Sequence, residues 1–253
     1  MNASAPLAGL GVVLTRPRAQ ADALARLLEA RGARVIVFPS LDIVPVEASE
    51  ESLAALRGAS LALFVSANAV EHGLEAARRT GPWPASVAVG AVGEATATAL
   101  RNSGFAHVIS PKVRFDSEAL LACPELQAVA GQNIIVFRGV GGRERIRSTL
   151  ESRGARVSYV ECYRRVRPPT DPAPLHAALS RGEVQAVHAM SAESVENFLA
   201  LAGPGAALSA VALVVPHEAI ARHPLAARFA RAVVAAGGPE GVAAALAGLR
   251  SAA

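Results

Sequence analysis

Apolar and polar positions alternate along this chain in a regular way. Short apolar or β-branched runs are each followed by a stretch of helical periodicity and then by a glycine. Gly11 to Thr15 is one such run, and its length and composition predict a strand. Pro17 suits a first helical turn, Leu24, Leu27 and Leu28 within Ala21 to Ala30 share one face, and Gly32 stands where a C-cap belongs. The same alternation predicts strands at Val35 to Phe38, Leu61 to Val65 and Ser86 to Gly90, with helices over Ala69 to Arg78 and Glu94 to Arg101, the last ending before Gly104. Strand and helix in alternation with short connections predict parallel sheets flanked by helices. The expected fold class is α/β, built from small doubly wound parallel-sheet domains.

The pattern also occurs twice. Val12-Val13-Leu14-Thr15-Arg16 aligns with Ile134-Ile135-Val136-Phe137-Arg138 at an offset of 122, and Arg31-Gly32-Ala33-Arg34-Val35 then falls on Arg153-Gly154-Ala155-Arg156-Val157 without a gap. Ser66-Ala67 matches Ser191-Ala192 at 125, and Glu94-Ala95 matches Glu218-Ala219 at 124. Offsets that drift so little over a hundred positions imply internal duplication. Leu41 to Glu47 and Cys162 to Thr170 hold equivalent places after the second strand of each half and are richer in proline and polar residues. Pattern alone admits two arrangements, a plain tandem or a chain that leaves the first domain, builds the second and returns.

Composition narrows the function classes. The chain has 253 residues, 52% hydrophobic and 18% charged, which suits globular domains and not a disordered chain. Its apolar runs are strand-sized, well short of the roughly 20 residues a membrane span needs, and Met1 to Leu10 lacks the marks of a secretory signal. Cys123 and Cys162 are the only cysteines, too few for a disulfide framework. A cytoplasmic protein without membrane association is expected. The formal net charge is +4, with basic residues spread among acidic neighbours and 4% aromatics, so nucleic acid is not an expected partner. Nearly all the cations are arginines, whose forked guanidinium suits a polyanionic small molecule, although codon preference produces the same bias.

Val13-Leu14-Thr15-Arg16-Pro17, Phe64-Val65-Ser66-Ala67-Asn68-Ala69-Val70, the stretch from Val89-Gly90 to Gly93-Glu94-Ala95-Thr96-Ala97, and Tyr163 beside Arg164 and Val166 resemble the uroporphyrinogen-III synthase family. The order and spacing of these segments carry the resemblance, which covers essentially the whole chain. It implies two α/β domains joined by a two-stranded linker, the first domain discontinuous and a cleft between them for the substrate. Here that means 1–39 with 170–253, then 48–160, with linkers at 40–47 and 161–169. The implied reaction takes hydroxymethylbilane, a polycarboxylate, loses its terminal hydroxyl as water to give an azafulvene, and closes the ring through a spiro intermediate that inverts ring D. The resemblance implies no metal or organic cofactor, a monomer, and transient contact with hydroxymethylbilane synthase.

Tyr163 matches the family tyrosine that assists departure of the hydroxyl, since a protonated phenol can donate to a leaving oxygen; packing at a domain junction is its plain structural role. Ser66, Ala67 and Asn68 follow a strand and open a helix, where backbone N–H groups receive carboxylates and where serine is also an ordinary cap. Ser191 is the equivalent in the other half, and Gly93 and Thr96 open a further helix. Arg16 and Arg138 end equivalent first strands, the edge at which open α/β sheets collect ligands, with structural ion pairing the competing role. Gly139 to Gly142 gives a loop room for close approach to a ligand. The turn Val215-Pro216-His217-Glu218-Ala219 departs from the family's Gly-Pro-Thr-Thr-like turn. His217 would help bind a carboxylate there, and Glu218, four residues before Arg222, would pair with it. His188 in a strand reads as a satisfied core histidine. Two other readings compete: a diverged, non-catalytic binder of small anionic ligands, and a nicotinamide oxidoreductase that rests only on Gly90 and Gly93.

Overall fold

The computed structural model describes residues 5–114, 116–142 and 144–250. The chain begins β1 (Gly11–Leu14), α1 (Arg18–Ala30), β2 (Arg34–Val37), β3 (Asp42–Pro45), α2 (Glu50–Ala54), β4 (Leu61–Phe64) and α3 (Ala67–Arg78). It continues through β5 (Ala88–Ala91), α4 (Glu94–Asn102), β6 (Val108–Ile109), α5 (Ser117–Leu121), β7 (Asn133–Gly139), α6 (Arg145–Ser152) and β8 (Arg156–Val166). The last third is α7 (Ala173–Ser180), β9 (Ala186–His188), α8 (Ala192–Ala202), β10 (Ala212–Val215), α9 (Glu218–Ala221), β11 (Arg231–Val234) and α10 (Gly238–Arg250).

These elements form two compact units, residues 1–42 with 166–253 and residues 43–165. Unit 1 holds a five-stranded sheet in the order β11-β10-β9-β1-β2 and unit 2 a six-stranded sheet in the order β3-β8-β7-β4-β5-β6. Every pairing within unit 1 is parallel, as are the pairings from β8 through β6 in unit 2. Under the repeat offsets β1 corresponds to β7, β2 to β8, β4 to β9, β5 to β10 and β6 to β11. Substituting these equivalents turns one strand order into the other, with β3 added at the edge beside β8. β3 apart, each sheet therefore takes two strands from one repeat and three from the other.

Apolar clusters cover both faces of both sheets, as continuous apolar strands require. In unit 1, Val13, Val187, Leu213 and Val215 join one cluster, while their neighbours Val12, Leu14, Ala186 and Val214 join the other. In unit 2, Ala62, Phe64, Ile135 and Phe137 face α3 and α4, and Leu61, Leu63, Ile134 and Val136 face α5 and α6. The helices begin and end for local reasons. Ser66 accepts from Ala69 N at 3.1 Å and Ser191 from Ser194 N at 3.1 Å, so equivalent serines cap equivalent helices. Gly32 and Gly154 follow α1 and α6 with φ of 92° and 84°, a conformation that side chains with a Cβ avoid.

Candidate functional site in unit 2

Tyr163 owes its direction to a β-bulge. Strand β8 pairs with β7 in steady register through Arg138 opposite Glu161, and then Gly139 stands opposite Tyr163, leaving Cys162 as the extra residue. Alternation along β8 places Val157 and Tyr159 with the α5/α6 side of the sheet and Val160 and Cys162 with the α3 side. Without the bulge Tyr163 would follow Tyr159. The added residue turns it to the α3 side, where it is 1% exposed. Its hydroxyl lies 3.0 Å from Ser66 Oγ. Gly139 makes room for the ring, because a Cβ there would stand 2.8 Å from Tyr163 Cε2 and Cζ. The His72 ring lies 6.1 Å from the Tyr163 ring.

Tyr163 also lines a cavity of about 490 Å³ at the end of β7, together with Arg138, Arg145, Tyr159, Arg165 and the Gly139–Gly142 loop. Arg138, an expected carboxylate ligand, is committed to internal partners. Its three guanidinium nitrogens donate to Gly139 O at 3.2 Å, to Glu144 Oε1 at 2.9 Å and to Gly142 O. The side chain is only 5% exposed. The structure thus engages Arg138 in an ion pair with Glu144 and in hydrogen bonds to the carbonyls of its own loop. Tyr159 completes this knot: its hydroxyl donates to Glu144 Oε2 at 2.8 Å, and Arg138 and Arg147 stack on its ring at 4.2 and 3.7 Å. The two arginines and the phenol hold the Glu144 carboxyl below its ordinary range, and burial with the carboxylate beside it raises the Tyr159 phenol. Arg145 pairs with Glu118 at 2.7 Å, both ends being exposed.

The remaining expected residues fall into distinct settings. Ser66 and Asn68 are half-buried and Ala67 exposed at the start of α3, beside Tyr163. Gly93 is the backbone N-cap of α4, and Thr96 is 4% exposed on its inner face with Ala97 and Leu100. Unit 1 carries Arg16, Ser191 and His217. Arg16 Nη2 reaches Met190 Sδ at 3.2 Å, its Nε is buried with no hydrogen-bond partner among the described residues, and burial lowers its pKa. His217 is exposed at the start of α9, and Glu218 pairs with Arg222 at 2.9 Å. His188 is 1% exposed on β9, but its Nδ1 has no partner among the described residues, so the satisfied state expected of it is not reached. Burial, reinforced by the Arg16 charge, lowers its pKa to about 4.

Tyr159, Glu144 and Arg145 were not among the expected residues. Tyr159 carries a signal, since it stands at an alternate position of the strand that leads to Tyr163. Glu144 and Arg145 offer none until the loop after β7 is folded. Among the described residues no group of three or more His, Cys, Asp or Glu side chains is placed to hold a metal ion, and no helix is long and apolar enough to cross a membrane.

Comparison with known proteins matches this arrangement of elements to one family. The sequence profile described as uroporphyrinogen-III synthase HemD matches residues 22–238. The uroporphyrinogen-III synthase of Salmonella typhimurium is 38% identical over 161 residues, 62% of this chain and 65% of that protein. That of Escherichia coli is 34% identical over 160 residues with the same shares, so the match spans just under two thirds of these two relatives. The Synechococcus elongatus enzyme is 34% identical over 206 residues, 79% of this chain and 77% of that protein. A solved mutant uroporphyrinogen III synthase from the extremely thermophilic bacterium Thermus thermophilus shares the fold at a TM-score of 0.61 and 22% identity, covering 96% of this chain and 98% of that one. The Helicobacter pylori structure does so at 0.55 and 14%, covering 92% and 96%. With the profile spanning far more than half of its length, the chain belongs to the uroporphyrinogen-III synthase family.

Proposed function

We propose that this protein cyclises hydroxymethylbilane to uroporphyrinogen III with inversion of ring D and loss of water, acting as a lyase of porphyrin and heme biosynthesis. The observation that carries this reading is a phenol, Tyr163, lining a cavity that arginines also line. In the reading, the terminal C–O bond of the substrate breaks and the hydroxyl leaves as water with the Tyr163 proton. The pyrrole nitrogen supplies electrons to the vacated carbon and gives up its N–H proton to the phenolate, so the azafulvene forms and Tyr163 is restored. Attack by the substituted carbon of ring D on the azafulvene methylene then makes the spiro C–C bond as the electrons of the exocyclic double bond return to the azafulvene nitrogen. The bond from that carbon to its original methylene bridge breaks, the bridge bonds to the free α-carbon of ring D, and the proton displaced from that carbon leaves, so the ring closes inverted.

Carboxylates of the substrate would meet the first turn of α3, where Ser66, Ala67 and Asn68 lie beside Tyr163. Gly93 at the start of α4, Gly139, and Arg16, Ser191 and His217 of unit 1 remain in this proposal as binding groups. Arg138 enters it indirectly, by holding the Gly139–Gly142 loop in shape. Because hydroxymethylbilane closes by itself without inversion, the enzyme's contribution is mostly positioning and charge stabilisation. The same instability favours direct hand-over from hydroxymethylbilane synthase to a cytoplasmic monomer.

The test is turnover. Incubated with freshly generated hydroxymethylbilane, the protein should yield the type III isomer, and Tyr163→Phe should lower type III formation by about tenfold or more, within or below the usual range for a positioned acid, while far-ultraviolet circular dichroism stays unchanged. Type I product alone from the unaltered chain would end the reading.

A further inference from the structure

Tyr163 Oη has one hydrogen-bond partner among the described residues, Ser66 Oγ, although the two residues stand 97 positions apart. Ser66 has a second obligation as the cap of α3, where its Oγ accepts from Ala69 N at 3.1 Å. A hydroxyl has one hydrogen to give and two lone pairs. With one lone pair occupied by Ala69 N–H, the Ser66 hydrogen is left for the other partner that this hydroxyl has among the described residues, the Tyr163 oxygen. The direction of that bond decides what the phenol can do. If Tyr163 donated to Ser66, its proton would be spent inside the protein. If Ser66 donates, the phenol proton is left for the cavity that Tyr163 lines.

We propose that Ser66 is a positioning residue for the reaction, donating its hydroxyl hydrogen to Tyr163 Oη so that the phenol proton points into the cavity. The result is a directed series, from Ala69 N–H to Ser66 Oγ–H to Tyr163 Oη–H, that starts at the positive end of a 12-residue helix. Hydrogen bonds in series polarise one another. The ring fills the space beside Gly139 that a Cβ would need, and the hydrogen bond from Ser66 sets the rotation of the phenolic C–O bond. This inference rests on the assignment of Tyr163 as the group that assists hydroxyl departure.

The experiment is steady-state formation of type III product from fresh hydroxymethylbilane by Ser66→Ala, Ser66→Asp and Ser66→Thr, each alone and with Tyr163→Phe, all in the full chain. Aspartate is an excellent cap at a helix start, so Ser66→Asp folds with α3 intact. Its carboxylate has no hydrogen to donate and would draw the phenol proton to itself. Both Ser66→Ala and Ser66→Asp should lower kcat about tenfold, with KM little changed in Ser66→Ala and raised in Ser66→Asp, whose carboxylate stands where a substrate carboxylate is received. Ser66→Thr, which keeps the hydroxyl, should recover most of the kcat loss, and neither Ser66→Ala nor Ser66→Asp should lower kcat further once Tyr163→Phe is present. Wild-type kcat in Ser66→Asp, an effect on KM alone, or an equal kcat loss with and without Tyr163→Phe would each overturn the proposal and leave Ser66 as a cap. If Tyr163→Phe itself keeps the wild-type kcat, the assignment of Tyr163 falls and this inference falls with it. A slow Tyr163→Phe beside a normal Ser66→Asp removes only the inference.

Discussion

The start of α3 in unit 2 and the start of α8 in unit 1 are the same structure drawn twice with different atoms. Ser66 and Ser191 each cap a helix that follows a parallel strand. In unit 2 the serine also meets a phenol across the bulge of β8. In unit 1 the 122-residue offset puts Leu41, 8% exposed, at the place of Tyr163, and Ser191 Oγ lies 3.0 Å from Ser194 Oγ. The arginines diverge as well: Arg138 has every nitrogen engaged, whereas Arg16 keeps a buried Nε with no partner among the described residues. The strand interior differs once more, because β9 carries His188 where β4 has Leu63. Duplication supplied the frame and the capping chemistry in both units, while a phenol, an ion-paired loop and a buried imidazole were each placed in one unit only.

The largest expected effect concerns that imidazole. His188 folds with a pKa near 4 against an ordinary 6.5, so in this window the unfolded chain binds the proton that the folded chain refuses. Stability should therefore fall as pH drops from about 6.5 to about 4, by on the order of 3 kcal/mol, and level off below. His188→Leu, which installs the residue of the equivalent strand, should flatten this dependence in urea unfolding measured across the window; an unaltered slope would mean that the acid sensitivity lies elsewhere. Next in size is Gly139→Ala, whose Cβ meets the Tyr163 ring at 2.8 Å. It should cost about 1–3 kcal/mol of stability, the scale of an overpacked core, and lower type III formation. Full stability with full activity would show that the ring is not held by this contact. The smallest effect separates the two arginines. Arg138→Met should destabilise by about 1–2 kcal/mol, since Glu144 is largely exposed and re-solvates when its partner goes. Arg16→Met should leave stability within about 0.5 kcal/mol, because it also removes an unsatisfied buried donor. Equal losses in thermal melts would erase the distinction drawn between them.

Much of the scaffold was legible because it is local. Periodicity placed β1, β2, β4 and α4 to within a residue or two, and glycine marked the stops at Gly32 and Gly154. The duplication could be read from offsets, but strand exchange between repeats could not, since two hydrophobic strands satisfy either partner equally well in a pattern. The site was less legible because it depends on register. Whether Tyr163 follows Tyr159 or turns to α3 is decided by one extra residue opposite Gly139, a relation between strands that no single segment encodes. Arg138 and Arg16 look alike as sequence, and only the placing of Gly139, Gly142 and Glu144 around Arg138 distinguishes them. Thr96 shows the same dependence on the fold: a polar residue type at a helix start suggested a ligand group, and the turn of the helix buries it.

Strand exchange between the repeats also has a consequence for how the protein is made. Unit 2 is a single continuous stretch, residues 43–165, whereas unit 1 needs residues 166–253 before β1 gains β9 as a neighbour. During synthesis, which runs from the N-terminus, the first 42 residues emerge first and are completed last. Until then β1 and β2 present Val12, Val13 and Leu14 without the cover that β9, β10 and α10 later supply. A nascent chain whose residues up to 165 have left the ribosome would therefore hold one finished sheet and one exposed apolar strand–helix–strand unit, the kind of species that aggregates or recruits a chaperone.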